Sequence, residues 1–238
     1  MKGCLIIMKK IFEKNELFFC ITLIVFYIIV NMFCVNNFGI QDYRSALINT
    51  LFSIFLILLI IVLKKTTYFG FTKVNNLKKY LYFIPLLIII SVNLWNGINI
   101  NNSLYEIIWH IITMINIGFI EEVIFRGFLF KMMAKDNINV AIIVSSVTFG
   151  IGHIVNLLNG AELIPTIVQI CYAISIGYLF VIIFYKSKSI VPCIITHSLV
   201  NALSIFNDNN SSILSIASLI LIVLPVFYAF YINKNVKV

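Results

Sequence analysis

The chain has 238 residues, of which 61% are hydrophobic and only 11% are charged, with a mean hydropathy of +1.05. Soluble domains are about 45–50% apolar and about 25% charged, so this composition excludes a soluble globular protein. The formal net charge of +8 does not indicate nucleic-acid binding, because the lysines stand in small groups between apolar blocks. We therefore expect an integral membrane protein that is surrounded by lipid and has no nucleic-acid partner.

Eight apolar segments are long enough, or nearly so, to cross a bilayer as helices, which takes about 20 residues each. They cover residues 17–35, 46–63, 80–95, 104–130, 138–157, 164–185, 189–206 and 213–232. The connecting loops are short, and no internal repeat or soluble domain interrupts the series. We predict an all-α fold of eight transmembrane helices that form a single integral-membrane domain over residues 1–238.

The lysines predict how these helices are oriented in the membrane. Fifteen of the 17 basic residues precede the first segment or follow the second, fourth, sixth and eighth segments. Only Arg44 lies in an opposite loop, and Arg126 lies within a segment. Because cytoplasmic loops carry an excess of lysine and arginine, both termini are predicted to be cytoplasmic. The predicted location is the cell membrane.

A few ionisable or amide side chains lie inside the apolar segments, where a charge is costly unless it is paired or hydrated. Those that stand out are Glu121, Glu122 and Arg126 in the fourth segment, His153 in the fifth, and His197 and Asn201 in the seventh. At a rise of 1.5 Å per residue, the acidic and imidazole groups lie about 13 to 20 Å from the lysine-rich side. We expect one polar cluster within the bilayer that opens toward the cytoplasm.

Helical spacing indicates which of these side chains face each other. Glu122 and Arg126 are four residues apart in the order that favours an ion pair, which would hold the arginine in the membrane. Glu121 is turned by about 100° from Glu122 and points elsewhere. His197 and Asn201 are also four residues apart and share one helix face. Glu121 is therefore the carboxylate that this spacing leaves free for chemistry.

These residue types suit the hydrolysis of a peptide bond. An apolar pocket disfavours the ionised form of a glutamate, so Glu121 could act as a general base toward water that His153 positions. His197 and Asn201 offer hydrogen-bond donors to the oxyanion that develops on the carbonyl. Alternatively, Glu121, His153 and His197 could bind zinc with an open position for water. The residues leave both the metal-dependent and the metal-free route open.

Three motifs together resemble those of the CAAX-processing and bacteriocin-processing protease family, which includes the Ras-converting CAAX endopeptidase. They are Glu121-Glu122-x-x-x-Arg126-Gly127, Phe149-x-x-x-His153 and His197-x-x-x-Asn201, and they stand in the family's order. The resemblance covers residues 104–206, and the first three segments match only in being hydrophobic. It implies an intramembrane endopeptidase with an eight-helix fold and a catalytic core at residues 104–206.

The same resemblance implies a role for each site residue. Glu121 would activate water, and Glu122 would be its essential neighbour, with Arg126 in support. His153 would bind the nucleophilic water, while His197 and Asn201 would stabilise the oxyanion. The expected substrate is a membrane-associated protein or peptide, and bacteriocin maturation or self-immunity is the expected biological role.

Two other functions fit the same residues. A proton-coupled transporter would use Glu121, Glu122 and His153 as a relay, but the outer halves of these segments offer few titratable residues to continue the path. A non-catalytic membrane immunity protein that captures a peptide without cutting it would also need a polar pocket. An intact set of motifs does not by itself prove turnover.

Overall fold

The structure, a computed structural model, describes residues 2–72, 83–95, 97–207 and 211–236. These residues are mostly helical, and their one β-type contact is an isolated bridge between Ile98 and Asn207. In chain order, the helices α1 to α10 are Lys2–Lys14, Glu16–Asn37, Tyr43–Leu63, Leu86–Ser91, Leu104–Met133, Ile138–Gly152, Val155–Leu158, Leu163–Ser187, Val191–Leu203 and Ser211–Asn235. The predicted all-α class is confirmed.

Within the described residues, 6 helical spans are long and apolar enough to cross a bilayer, so the protein is a multi-pass membrane protein. They are α2, α3, α5, α6 together with α7, α8, and residues Ile216–Asn235 of α10. They correspond to the first, second, fourth, fifth, sixth and eighth predicted segments. The third predicted segment lies partly outside the described residues, and its described part forms α4 and a 3₁₀ turn, Val92–Leu94. The seventh is α9 with a 3₁₀ turn, Ser204–Phe206, and is shorter than a full span.

The ends of the helices that carry the lysines meet at one end of the bundle, which we call the basic end. Glu16, at the start of α2, forms ion pairs with Lys135 after α5 and with Lys65 after α3. The ammonium groups of Lys65 and Lys131 lie 5.0 and 4.6 Å from the ring centroid of Tyr68. The opposite end, which we call the far end, consists of residues 38–42, 97–103, 159–162 and 204–207. Rings of Tyr43, Tyr105 and Trp109 pack together there, as expected of aromatic residues at a membrane surface.

An amphipathic helix that the hydrophobic segments did not predict lies at the basic end. In α1, Leu5 and Phe12 are buried in the core, whereas Ile6 and Ile7 are exposed. Lys65 from the loop after α3 lies over the ring of Phe12 at 5.0 Å. A short amphipathic helix of this kind suits the membrane surface rather than the bilayer interior.

Small residues let the helices that carry the site approach closely. A Cβ atom added to Gly118 of α5 would lie only 2.8 Å from the backbone nitrogen of Ser198 in α9. A Cβ atom added to Gly150 of α6 would lie 2.8 Å from the backbone nitrogen of Ile174 in α8. Close backbone approach at small residues is a common way to pack helices in membranes. These two contacts set α9 against α5 and α6 against α8.

Candidate active site

A cavity of about 620 Å³ lies between α2, α5, α6, α8 and α9. Four of the six predicted site residues line it, namely Glu121, His153, His197 and Asn201. The other two, Glu122 and Arg126, are 0% exposed. The structure thus brings the acid, both imidazoles and the carboxamide to one cavity and buries the charged pair.

The carboxylate of Glu121 is held from two sides. Tyr27 of α2 donates a hydrogen bond from its hydroxyl to Oε1 of Glu121, with an oxygen–oxygen distance of 2.6 Å. Oε2 of Glu121 lies 3.4 Å from Nε2 of His197. Hydrogen bonds from a neutral donor to an ionised carboxylate are short and strong, so Tyr27 fixes the orientation of this side chain. The other oxygen, Oε2, faces His197 and the cavity.

His197 lies between the two adjacent glutamates. Its Nδ1 is 2.8 Å from Oε1 of Glu122, a direct hydrogen bond within the buried interior. The rings of Phe149 and Phe180 pack against the imidazole at centroid distances of 5.6 and 6.0 Å. A carboxylate on one ring nitrogen fixes the orientation of a histidine and leaves the other nitrogen for chemistry. Glu122 therefore acts on the cavity through His197.

The predicted ion pair between Glu122 and Arg126 is present, with Nη1 of Arg126 3.1 Å from Oε1 of Glu122. The guanidinium also lies 4.2 Å from the ring centroid of Phe149, a cation–π contact. Gly177 of α8 leaves room for this contact, because a Cβ atom there would lie 3.1 Å from the Phe149 ring and 3.3 Å from Nη2 of Arg126. Arg126 is thus enclosed by one carboxylate and by aromatic faces.

The α5 helix changes its winding directly after the two glutamates. Residues Val123–Phe130 form a π-helical stretch, and all 8 of them are buried. Such stretches are rare and occur often at functional sites. Here the wide turn carries Arg126 and fills the bundle on the basic side of the cavity.

His153 and Asn201 complete the cavity wall. The α6 helix ends at Gly152, and His153 is its C-terminal cap residue, with its ring edge-to-face on Phe149 at 5.6 Å. His153 lines the same cavity as Glu121 and His197. His110 contacts the backbone oxygen of Asn201 at 3.3 Å and holds this end of α9 against α5.

The predicted zinc ligands do not form a metal-binding group in this arrangement. Across the part of the chain that the structure describes, no three or more His, Cys, Asp or Glu side chains are placed to hold a metal ion. Oε1 of Glu121 accepts the hydrogen bond from Tyr27, and Nδ1 of His197 faces Glu122. The zinc set of Glu121, His153 and His197 stays a prediction.

The cavity extends toward the far end, whereas the sequence favoured an opening on the lysine-rich side. Its lining continues from His153 to Asn159 and Ala161 in the loop between α7 and α8. The physical reason is the length of α9, whose 13 residues cover about 20 Å at 1.5 Å per residue, less than the hydrocarbon thickness. The α6 helix is also interrupted at His153, so both histidine-bearing helices end beside the cavity.

Tyr27 is the site residue that the sequence analysis missed. It lies 13 positions after Lys14, about 20 Å into the first segment, which is the depth predicted for the polar cluster. A buried tyrosine hydroxyl needs a hydrogen-bond partner. A tyrosine at this depth was therefore the available signal, although it does not specify which acid is the partner.

Residues 102–203 match the sequence profile of the type II CAAX prenyl endopeptidase Rce1-like family. No curated protein and no solved structure matches the chain. The matched segment contains all the predicted site residues and leaves out α2, which supplies Tyr27. Residues 102–203 are therefore an Rce1-like domain, in agreement with the family that the three motifs indicate.

Proposed function

We propose that the protein is an intramembrane endopeptidase that hydrolyses a peptide bond of a membrane-associated protein or peptide. The observation that supports this most is the single cavity lined by Glu121, His153, His197 and Asn201. Each side chain has a chemical use there, and they come from three different helical segments. We also propose eight membrane segments with both termini cytoplasmic, which the collection of lysines at the basic end supports.

In the proposed first step, Glu121 removes a proton from a water molecule held beside His153. The water oxygen forms a bond to the carbonyl carbon of the substrate, and the carbonyl electron pair moves onto its oxygen. In this proposal His197 carries a proton on each ring nitrogen, so that Nδ1–H donates to Glu122 while Nε2–H and the carboxamide of Asn201 donate hydrogen bonds to this oxyanion. Nε2 of His197 is suited to the role because it lies 3.4 Å from Glu121, too far for a strong hydrogen bond that would compete.

In the second step, the oxyanion collapses and the carbon–nitrogen bond breaks. Glu121 gives the proton it took from water to the leaving nitrogen, so the products are a carboxyl group and an amine. Glu121 is ionised again at the end of the cycle. The pair of Glu122 and Arg126 takes no proton in this scheme, and its part is to hold His197 in place.

The metal-free route is the one proposed, because every step above uses side chains that already line the cavity or contact it. For the biological role, we propose peptide maturation or self-immunity of the bacteriocin type, which the resemblance of the motifs supports. A passive immunity protein would bind the same peptide and release it unchanged. That difference makes turnover the deciding measurement.

The test is a cleavage assay with purified protein in liposomes that contain a set of synthetic hydrophobic peptides. Products are read by mass spectrometry, for wild type and for Glu121→Gln prepared in parallel. A new terminus seen only with wild type supports the proposal, and the inactive variant controls for contaminating proteases. Cleavage by both proteins would exclude Glu121 as the base. Peptide binding without any product would instead support a passive immunity protein.

A further inference from the structure

The end of α9 that carries Asn201 is a helix terminus beside the cavity. The α-helical winding of α9 stops at Leu203, and the 3₁₀ turn Ser204–Phe206 follows. Carbonyl groups in the last turn of a helix lack partners in the α-helical pattern, so such an end frays unless other groups bind them. Asn201 lies in this last turn, and the proposed reaction needs its carboxamide at a fixed place. Its position therefore depends on the groups that bind this turn.

Three groups converge on the backbone oxygen of Asn201. The backbone N–H of Ser204 donates to it, and so does the hydroxyl of Ser204, at 2.7 Å. The third group is the imidazole of His110 on α5, whose Nε2 lies 3.3 Å from this oxygen and 3.2 Å from Oγ of Ser204. His110 is 6% exposed and does not line the cavity. It is thus a buried contact from another helix to the residue that carries the carboxamide.

The neighbours of His110 determine which of its ring nitrogens carries a proton. A carbonyl oxygen only accepts hydrogen bonds, and the hydroxyl of Ser204 already donates its proton to the oxygen of Asn201. A proton on Nε2 of His110 can be shared between this carbonyl and Oγ of Ser204, whereas Nε2 without a proton would face the carbonyl as a second acceptor. His110 therefore acts on α9 as a hydrogen-bond donor.

Contacts of polar side chains between α5 and α9 are spread along the whole surface that the two helices share. Between described residues they include Glu122 to His197 at 2.8 Å, Ser198 to the backbone oxygen of Ile115 at 3.1 Å, and His110 to Asn201 at 3.3 Å. A helix that is held near both ends and in between cannot slide or turn about its axis without breaking one of these contacts. The two proposed oxyanion donors, His197 and Asn201, are the residues held at the two ends.

We propose that His110 is a positioning residue that acts through Asn201. By donating to the backbone oxygen of Asn201, it keeps the last turn of α9 wound and directs the carboxamide toward the oxyanion. This inference rests on the proposed function, because it concerns a step of that reaction. Since His110 lies outside the cavity, it affects the rate of the chemical step and not the binding of the peptide.

A double-mutant cycle of His110→Leu and Asn201→Ala tests this role by cleavage of a peptide in liposomes. His110→Leu should lower kcat by about tenfold, the equivalent of one hydrogen bond, with KM nearly unchanged. Asn201→Ala should lower kcat by about 10²–10³-fold, which leaves a measurable rate. In that background, His110→Leu should have no further effect, because the carboxamide that it positions is absent. An equal fall in both backgrounds, or an unchanged kcat in the wild-type background, would overturn the proposal.

Rescue and a matched control separate positioning from a loss of folding. His110→Gln carries an amide N–H that can donate to the same oxygen, and it should recover most of the rate that His110→Leu loses. Thr113→Val, also on α5, removes a buried hydroxyl without a hydrogen-bond partner among the described residues, and it should leave kcat unchanged. If His110→Leu does not fold, His110→Phe, which keeps an aromatic ring, takes its place. A kcat as low for His110→Gln or Thr113→Val as for His110→Leu would contradict the proposal.

Hydrogen exchange of the purified protein tests the contact in the absence of cleavage. The backbone amides of residues 201–206 are expected to exchange about tenfold faster in His110→Leu than in wild type, and near the wild-type rate in His110→Gln. The amides of residues 191–196, at the other end of α9, are the internal control and should not change. Equal exchange at residues 201–206 in wild type and His110→Leu would overturn the proposal. If wild type cleaves no peptide, the proposed function fails, yet the exchange still shows whether His110 holds this end of α9, so the two failures are distinguishable.

Discussion

The two neighbouring glutamates of α5 show how the cavity half and the packed half of the bundle differ. Glu121 faces the cavity, where Tyr27 and His197 contact it, and Glu122 is enclosed with Arg126. A rotation of about 100° between adjacent helical positions separates the two environments. His197 contacts both acids, so it connects the cavity with the packed interior around Arg126. In the proposed reaction, Glu121 therefore acts on water and Glu122 positions His197.

Glu121→Gln tests the role of the acid that faces the cavity. Loss of the base is expected to lower the rate of cleavage by about 10²–10⁴-fold, the usual contribution of general-base catalysis. Thermal unfolding in detergent should stay near the wild-type value, because the amide keeps the size of the side chain. A large fall in thermal stability would instead assign Glu121 to the packed half.

Arg126→Ala tests whether the buried pair of Glu122 and Arg126 stabilises the packed half. The change leaves Glu122 buried and without its cation, which is expected to cost about 3–5 kcal/mol of folding free energy. The measurement is thermal unfolding of the purified protein, with Arg44→Ala at the far-end surface as the matched control. Equal melting temperatures for the two variants would show that the buried pair does not stabilise this region.

Gly118→Ala tests whether the distance between the two halves matters. The added methyl group would meet Ser198, pushing α9 and His197 away from α5 at a cost of about 1–3 kcal/mol. Both the melting temperature and the cleavage rate should fall. Gly152→Ala is the control, because its added Cβ would have nothing within 4 Å. Similar behaviour of both variants would mean that close packing of α5 and α9 is not required.

Tyr27→Phe tests whether the tyrosine hydroxyl positions the carboxylate of Glu121. Removing the hydroxyl deletes the hydrogen bond to Oε1, and bonds to charged groups contribute about 1.5–3 kcal/mol, so a fall in kcat of about tenfold is expected. KM should change little, because Tyr27 does not line the cavity. Tyr228→Phe is the control, since its buried hydroxyl has no hydrogen-bond partner within the described region. An equal kcat for Tyr27→Phe and wild type would exclude a positioning role.

The smallest expected effect is that of a strong chelator. If side chains alone activate the water, treatment with a chelator should leave the rate of peptide cleavage unchanged. The assay uses the purified protein in liposomes, followed by addition of zinc. Inactivation that zinc reverses would replace the metal-free route with one through Glu121, His153 and His197.

Some features of the site can be predicted from the spacing of residues along the chain alone. The pair of Glu122 and Arg126, and the common face of His197 and Asn201, depend only on helical periodicity. The common depth of the polar groups depends only on counting residues from the lysines. These features need no knowledge of how the helices pack, which is why the sequence is sufficient for them.

The remaining features depend on how the helices pack. Whether Tyr27 meets Glu121 depends on the rotation of α2 about its axis, which a uniformly apolar segment does not determine. The position of His197 between two acids depends on the close approach at Gly118. The opening at the far end depends on where α9 stops, and the apolar pattern of residues 189–206 continues beyond the end of that helix at Leu203.

Tyr27 has a consequence for dissecting or recombining the protein. The segment that carries the family motifs contains every site residue that the sequence predicts, yet the hydroxyl that hydrogen-bonds Glu121 belongs to α2, outside residues 102–203. A shortened protein that begins near residue 102 would keep the motifs and lose this support. A chimera that borrows its first helices from a relative would need a hydroxyl donor at the same height to keep the acid aligned.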